Sequence, residues 1–124
     1  MKIALIAHNG KKADMVAFVM KRLIYFNRKD VHIYATGTTG KMIIDAGIEK
    51  VERVNSGPLG GDAEIGALVA KGELSAVIFL RDPLDNHPHD VDILMLMRLC
   101  DVHNVPLATN YKMANILIDY LEKI

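Results

Sequence analysis

Near its start the chain reads Lys2-Ile3-Ala4-Leu5-Ile6-Ala7-His8, a short apolar run that ends at a histidine. A run of this kind is typical of a strand that is buried on both faces of a parallel sheet. Beyond a short polar segment, apolar side chains recur at helical spacing and predict a helix from about Lys12 to Phe26. The rest of the chain repeats this order of strand, loop and helix.

Four further strands are predicted, at residues 31–35, 50–55, 76–80 and 105–108, and a helical pattern follows each of them. The helix after the second strand is predicted to end at Gly47, because glycine suits a helix C-terminus. Alternating strands and helices imply right-handed crossovers. The predicted fold class is therefore α/β, a three-layer sandwich with a five-stranded parallel sheet and helices on both faces. Ligands of such sheets bind beyond the carboxyl ends of the strands.

The length of 124 residues predicts one domain, residues 1–124. Fifteen Lys and Arg residues balance fifteen Asp and Glu residues, so the overall charge does not point to nucleic acid or to an acidic membrane surface. The single cysteine, Cys100, lies on an apolar helix face and is expected to be a buried thiol. No segment has the length of a signal peptide or a membrane span, and we expect a cytoplasmic protein.

The third strand is followed by a loop of seven residues with three glycines, Ser56-Gly57-Pro58-Leu59-Gly60-Gly61-Asp62. Glycines allow backbone N–H groups to approach a ligand closely, and a helix that begins at such a loop points its positive end at an anion. Asp62 is therefore a candidate base beside an anion site. The alternative is that Asp62 only caps the following helix, since Asp is a preferred N-cap residue.

The second strand is followed by a similar segment, Thr36-Gly37-Thr38-Thr39-Gly40, whose hydroxyl and N–H groups are the components of a phosphate site. Ser56 and Gly57 can form its second side. Lys12, near the start of the first helix, supplies the positive charge, and its position is unfavourable with the helix dipole unless an anion lies nearby. The alternatives are a threonine N-cap with a tight turn, and an exposed surface lysine.

The loop after the fourth strand is rich in histidine and carboxylate side chains: Asp82, Asp85, His87, His89, Asp90 and Asp92. Such a cluster can hold a metal ion, or its carboxylates can serve the loop and cap the next helix. Neutral imidazoles of His8 or His89 can instead polarise a carbonyl group while Asp62 takes a proton from the adjacent carbon. A small phosphorylated keto compound would satisfy every part of this site.

Six motifs in a fixed order carry a resemblance to a known family: Ala7-His8 with Lys12, Thr36-Gly37-Thr38-Thr39-Gly40, Ser56-Gly57-Pro58-Leu59-Gly60-Gly61-Asp62, Asp82-Pro83-Leu84, Pro88-His89-Asp90 and Leu107-Ala108-Thr109-Asn110. Through them the chain resembles methylglyoxal synthases over essentially its whole length. The resemblance implies a flavodoxin-like topology and a lyase that converts dihydroxyacetone phosphate to methylglyoxal and inorganic phosphate through an enediolate phosphate. It also implies an enzyme without metal or cofactor, a homohexamer and inhibition by phosphate.

The resemblance also implies roles for individual residues. Asp62 is the expected base, His89 its partner at the substrate oxygens, and His8 a further substrate contact. Asp82 and Asp92 are the expected acidic residues that orient the site. The substrate and phosphate are expected to bind at His8, Lys12, Thr36, Gly37, Thr38, Thr39, Ser56 and Gly57.

The sequence departs from the family pattern at three positions. Asn9 stands where Asp often follows the histidine, Val91 stands where Pro is common, and Lys112 follows Tyr111 in a region that is usually neutral. We expect Asn9 to affect the orientation of His8. Two other functions remain open on the residues alone: a regulatory domain that binds an effector phosphate without catalysis, and a metal-dependent phosphatase.

Overall fold

The computed structural model describes residues 1–85 and 90–124, with the side chains of residues 90–92 outside that description. Its strands are β1 (Lys2–Ala7), β2 (His32–Thr36), β3 (Val51–Val54), β4 (Ala76–Leu80) and β5 (Leu107–Ala108). Its helices are α1 (Lys12–Met20), α2 (Leu23–Phe26), α3 (Gly37–Asp45), α4 (Gly61–Ala70), α5 (Asp90–Val102) and α6 (Tyr111–Glu122). Short 3₁₀ turns, Asn9–Lys11 and Gly57–Leu59, precede α1 and α4.

The five strands form one parallel sheet in the order β3-β2-β1-β4-β5. The predicted α/β class with a five-stranded parallel sheet is confirmed. The strand order differs from the flavodoxin-like order 2-1-3-4-5, because β1 pairs directly with β4. Their paired residues run from Ile3 opposite Ala76 to Ala7 opposite Leu80. The most polar strand, β3, takes the edge, where its exposed Glu52 can face water.

Apolar side chains of β1 alternate between the two faces of the sheet, and each face is covered by helices. Ile3, Leu5 and Ala7 belong to one buried cluster, which also contains residues of α1, α2, α3 and α6. Ala4 and Ile6 belong to a second cluster with residues of α4 and α5. The three layers predicted from the sequence therefore form around β1, which is buried on both sides as expected.

The helix predicted from Lys12 to Phe26 is wrong as a single element, because it divides into α1 and α2 at Lys21 and Arg22. Arg22 leaves the helical region, with φ −130° and ψ 27°. Its guanidinium donates to the carboxylates of Asp119 at 2.9 Å and Glu122 at 3.1 Å on α6. The break therefore accompanies a contact between two helices that lie far apart in the sequence.

Two smaller expectations, on Gly47 and Cys100, are confirmed. Gly47 follows the end of α3 at φ +121°, and the Ile48 N–H donates to the Ile43 carbonyl at 3.1 Å, so the predicted glycine terminus is confirmed. Cys100 is buried as expected, and burial raises the pKa of its thiol to about 11. Within residues 1–85 and 90–124, no helix is long and apolar enough to cross a membrane.

Candidate active site

A pocket of about 260 Å³ opens beyond the carboxyl ends of β1, β2 and β3. Residues from four separate segments line it: Ile6, Ala7, His8, Asn9, Lys12, Thr36, Thr38, Thr39, Ser56, Gly57, Pro58 and Asp62. The sequence predicts this convergence, because parallel strands bring their following loops to one edge of the sheet. Eight of the twelve predicted site residues line the pocket: His8, Lys12, Thr36, Thr38, Thr39, Ser56, Gly57 and Asp62.

His8 is buried directly after β1, where its backbone N–H continues the ladder by donating to the Leu80 carbonyl at 3.1 Å. Its Nδ1 accepts a hydrogen bond from the backbone N–H of Asp82 at 2.9 Å. A ring nitrogen that accepts an N–H cannot itself carry a proton, so in the neutral imidazole the proton lies on Nε2. The edge-to-face contact with Phe79, at 5.1 Å between ring centres, further fixes the ring. His8 is therefore held as a hydrogen-bond donor at the pocket wall.

Asp82 does not line the pocket, and its described contacts support neighbouring structure instead. Besides the backbone bond to His8, its Oδ1 accepts the Leu84 N–H at 3.1 Å, which closes the start of the loop. A Cβ added to Gly10 would overlap Asp82 Oδ2, so glycine is needed for the 3₁₀ turn to pass this carboxylate. Through its backbone N–H, Asp82 contacts His8, and the orienting role that the family resemblance implies for its carboxylate stays a prediction.

Asp62 is fully buried in the first turn of α4 and lines the pocket. The N-cap position belongs to Gly60, which has φ +99° and no side chain to cap with. The interpretation of Asp62 as a simple N-cap is therefore wrong. Gly61 brings the helix close to the preceding loop, since an added Cβ would overlap the Asn55 carbonyl oxygen. Asp62 therefore lies at the positive end of α4.

The threonine segment, residues 36–40, forms the pocket wall opposite Ser56 and Gly57. Thr36 lies at the end of β2, and Thr38 and Thr39 lie in the first turn of α3. Thr36 occupies the N-cap position without a side-chain cap bond, so the capping alternative does not account for it. Among the described residues, the buried hydroxyl of Thr39 has no hydrogen-bond partner. Buried hydroxyl groups are normally satisfied, so this one is suited to a ligand.

Gly37 does not itself line the pocket. It lies where the two glycine-rich walls of the pocket, residues 36–40 and residues 56–62, meet. A Cβ built on Gly37 would lie 3.2 Å from the Ser56 backbone nitrogen, so a larger residue would push the two loops apart. Ser56 and Gly57 can approach the threonine segment for this reason. The two predicted sides of the phosphate site are therefore adjacent.

Lys12 is the first residue of α1 and is half-buried at the pocket wall. Its Nζ donates to Asn9 Oδ1 at 2.6 Å, and burial lowers the pKa of its ammonium group. The neighbouring Lys11 behaves differently, because its Nζ lies 3.8 Å from Asp14 on the exposed side of the helix. The interpretation of Lys12 as an ordinary surface lysine is therefore wrong.

Sequence reasoning missed the roles of two residues. Asn9 contacts Lys12, whereas the sequence suggested an effect on His8; the signal was its place three residues before the lysine. Arg53 on β3 donates from Nε to the Gly37 carbonyl at 3.1 Å and lies against Gly40, where an added Cβ would come within 2.6 Å of its side chain. The signal in the sequence was a pair of glycines, Gly37 and Gly40, that leave room for the long side chain of a residue on the next strand.

Some predicted site residues lie elsewhere or outside the described part. His89 falls outside the described residues, as do His87 and the side chains of Asp90 and Asp92. Among the described side chains no three His, Cys, Asp or Glu residues form a group that could hold a metal ion. Asn110, expected at the same edge, caps α6 by accepting the Met113 N–H at 2.9 Å.

A larger hollow of about 890 Å³ runs along β2 and β3 and includes Lys2 and Lys50 near the amino ends of the strands. Parallel sheets place their ligand-binding loops at the opposite ends of the strands. Charges of both signs alternate there, with Glu49 and Glu52 beside the lysines. The pocket of about 260 Å³ is therefore the candidate active site, although it is smaller than this hollow.

Fold and pocket together define a class: a parallel α/β domain with an anion-suited pocket and a buried carboxylate at the carboxyl ends of its strands. Residues 15–109 match the family described as MGS-like domain. The matched range includes residues 36–40 and residues 56–62, the two glycine-rich walls of the pocket, and with them Asp62. The chain belongs to the methylglyoxal synthase family, as its motifs predict.

Individual relatives agree over nearly the whole chain. The methylglyoxal synthase of Exiguobacterium sibiricum is 54% identical over 123 residues, which cover 99% of this chain and 84% of that protein. The methylglyoxal synthase of Carboxydothermus hydrogenoformans is 53% identical over 118 residues, covering 95% and 96% of the two chains. The crystal structure of methylglyoxal synthase from Elizabethkingia anophelis superposes with a TM-score of 0.83 at 43% identity, over 94% of this chain and 75% of the other.

Proposed function

We propose that this chain is a lyase that converts dihydroxyacetone phosphate to methylglyoxal and inorganic phosphate. The observation that carries the proposal is the burial of Asp62 in the same pocket as Lys12 and the threonine segment. A carboxylate and a phosphate site within one small pocket match a substrate that has an acidic C–H bond near a phosphate ester. Membership of the methylglyoxal synthase family supports the same reaction.

The phosphate group binds between the two glycine-rich walls. Lys12 supplies the positive charge, the Thr39 hydroxyl and the other threonines donate hydrogen bonds, and Ser56 and Gly57 close the second side. The remaining residues of the site are Thr36, Gly37 and Thr38. In this proposal the three-carbon part of the substrate lies toward His8 and Asp62.

Asp62 takes a proton from the hydroxymethyl carbon next to the carbonyl group, and the carbonyl oxygen becomes the oxygen of an enediolate. His8 Nε2–H donates a hydrogen bond to that oxygen while its charge develops. The enediolate then collapses: the O–H proton of the hydroxyl carbon passes to the departing phosphate, that carbon becomes an aldehyde, the double bond shifts, and the bond from carbon to the bridging phosphate oxygen breaks. Asp62 returns its proton to the resulting methylene carbon, which gives methylglyoxal.

The phosphate site decides between two fates of the enediolate. If a proton returned to the other carbon, the product would be an isomer of the substrate and phosphate would stay attached. Phosphate leaves when its C–O bond is held perpendicular to the enediolate plane, since the electrons can then enter that bond. A site with two adjacent walls fixes the rotation of the phosphate as well as its position.

The proposal extends to residues and properties beyond this geometry. His89 assists at the substrate oxygens, and Asp82 and Asp92 orient the site. The enzyme works without metal or cofactor, assembles as a homohexamer in the cytoplasm, and is inhibited by phosphate because the product occupies the site of the substrate phosphate.

The test is an assay of the purified, metal-free protein with dihydroxyacetone phosphate that follows methylglyoxal and released phosphate together. We expect equal amounts of both products, and an Asp62→Asn variant that binds phosphate but turns over about 10²- to 10⁴-fold more slowly, because an amide cannot act as a base. Asp14→Asn, an exposed carboxylate on α1, is the matched control. Near-normal turnover in Asp62→Asn would refute the assignment of the base. Phosphate binding without turnover in the native protein would indicate a ligand-sensing domain instead.

A further inference from the structure

Asn9 and Lys12 are linked twice at the entrance to α1. The backbone N–H of Lys12 donates to the Asn9 carbonyl, and the Lys12 ammonium donates to the Asn9 side-chain oxygen at 2.6 Å. Both residues line the pocket that contains Asp62. The short 3₁₀ turn between them keeps the amide close to the ammonium group. Asn9 therefore fixes where Lys12, the one lysine among the described residues that line this pocket, places its charge.

The charge of Lys12 is held by a neutral group rather than by a carboxylate. Among the described residues Lys12 makes no ion pair, whereas Lys11 lies beside Asp14. Its place in the first turn of α1 is unfavourable with the helix dipole, and its half-buried position removes water that would otherwise stabilise the charge. An ammonium group in these surroundings interacts more strongly with an incoming anion than one that already has a carboxylate partner.

We propose that Asn9 is a positioning residue that sets the affinity of the pocket for phosphate groups, by fixing the Lys12 ammonium while leaving its charge uncompensated. This inference rests on the proposed function, because it assumes that the pocket receives a phosphate or a phosphate ester. The amide acts through Lys12 and takes no part in proton transfer. Its effect therefore belongs to binding, and the chemical step after binding is unaffected.

Two substitutions separate the two properties of Asn9. Asn9→Asp keeps the shape and the hydrogen bond to Lys12 but adds a negative charge, which pairs with the ammonium and repels the phosphate dianion. Asn9→Ala removes the hydrogen bond and leaves the charge of Lys12 unpaired but mobile. We expect Asn9→Asp to weaken phosphate binding about tenfold or more and Asn9→Ala about threefold, because a nearby charge outweighs the loss of one tether.

The experiment is calorimetric titration of the native protein and both variants with inorganic phosphate at low and at physiological salt. Steady-state kinetics with dihydroxyacetone phosphate accompany it. Asn104→Asp is the matched control, since it makes the same chemical change on an exposed residue at a helix end whose φ of 56° Asp also tolerates. We expect the dissociation constant and KM to rise together in Asn9→Asp, most strongly at low salt, with kcat unchanged. The control should match the native protein.

The outcomes distinguish this inference from the proposed reaction. Weakened phosphate binding in Asn9→Asp supports the inference even if the native protein shows no turnover, a result that would refute the lyase alone. Unchanged phosphate affinity and KM in an active Asn9→Asp enzyme would refute the inference alone. A fall in kcat with KM unchanged would also refute it, because Asn9 would then act on the chemical step. A native protein that binds no phosphate would refute both.

Discussion

Replacing Lys12 by Met tests how much of the phosphate affinity comes from one charge. Two unit charges 4 Å apart attract by about 1 kcal/mol in water and about 4 kcal/mol near a protein surface. Lys12 is half-buried, and the loss of hydration on binding offsets part of the attraction. We therefore expect the substitution to cost about 2 kcal/mol of binding free energy, which corresponds to a dissociation constant raised about 30-fold. Methionine is chosen because it keeps an unbranched side chain without the charge.

The assay is calorimetric titration with inorganic phosphate, and Lys11→Met is the control. Lys11 lies next to Lys12 in the sequence, but its ammonium group is 3.8 Å from Asp14 on an exposed surface. We expect its removal to change the dissociation constant less than twofold, since exposed charges contribute little. Equal effects of the two substitutions would refute the assignment of Lys12 to the phosphate site, because they would show only a loss of general positive charge.

The pH dependence follows from the same group. Burial lowers the pKa of Lys12 below its ordinary value of 10.5. The charged ammonium is the form that attracts phosphate, so this contribution is complete at pH values below the lowered pKa and is lost as the pH rises through it. As the pH is raised, phosphate affinity should accordingly begin to fall before pH 10.5 is reached. Lys12→Met should abolish the part of this fall that comes from the ammonium group.

Two further predictions concern stability and reactivity. Gly61→Ala should lower the free energy of unfolding by about 2–4 kcal/mol, because the added Cβ would overlap the Asn55 carbonyl. Gly60→Ala has open space around the added Cβ but φ +99°, and it should lower the free energy of unfolding by about 1 kcal/mol. Chemical denaturation measures both losses, and equal losses would contradict the overlap argument. Cys100, whose thiol pKa is raised to about 11 by burial, should resist thiol reagents at pH 8 in the folded protein and react fully in denaturant; rapid labelling of the folded protein would contradict its burial.

Much of the fold is encoded in local patterns. The apolar runs of β1 and β4 have no polar face, so they can be satisfied only in the middle of a sheet covered on both sides. The polar pattern of β3 is compatible with an edge position. Strand order is a different kind of property, because it depends on which strands pair across the sheet. Here β1 pairs with β4, and periodicity within either strand contains no information about that choice.

The helix break at Arg22 shows a second limit. The apolar spacing continues through it, so the local sequence favours one helix. The contacts that accompany the break join Arg22 to Asp119 and Glu122, which lie near the other end of the chain. Local reasoning can find the arginine, but the partners that select its conformation become visible only in the folded protein.

The gathering of polar residues at the pocket was predicted more completely than either of these features, although their roles stay predictions, and the reason is topological. Parallel strands bring their following loops to one edge, so a list of polar residues after strands is already a list of neighbours. What the sequence left open was the choice between capping and chemistry for Asp62. That choice depends on backbone conformation: Gly60 at φ +99° takes the N-cap position and leaves Asp62 buried inside the first turn.

The backbone around Ser56 couples the proposed base to the proposed phosphate site. The Ser56 carbonyl accepts the N–H groups of Leu59 at 2.9 Å and Gly61 at 3.0 Å, so the residue that begins the phosphate wall also fixes the start of the helix bearing Asp62. On its other side Ser56 lies against Gly37, and Gly37 is held by Arg53. A shift of either wall would therefore move the base relative to the phosphate. For a reaction in which elimination must outrun reprotonation of the same enediolate, a fixed distance between base and phosphate is the property that matters most, and this chain secures it through the contacts around Ser56 and Gly37.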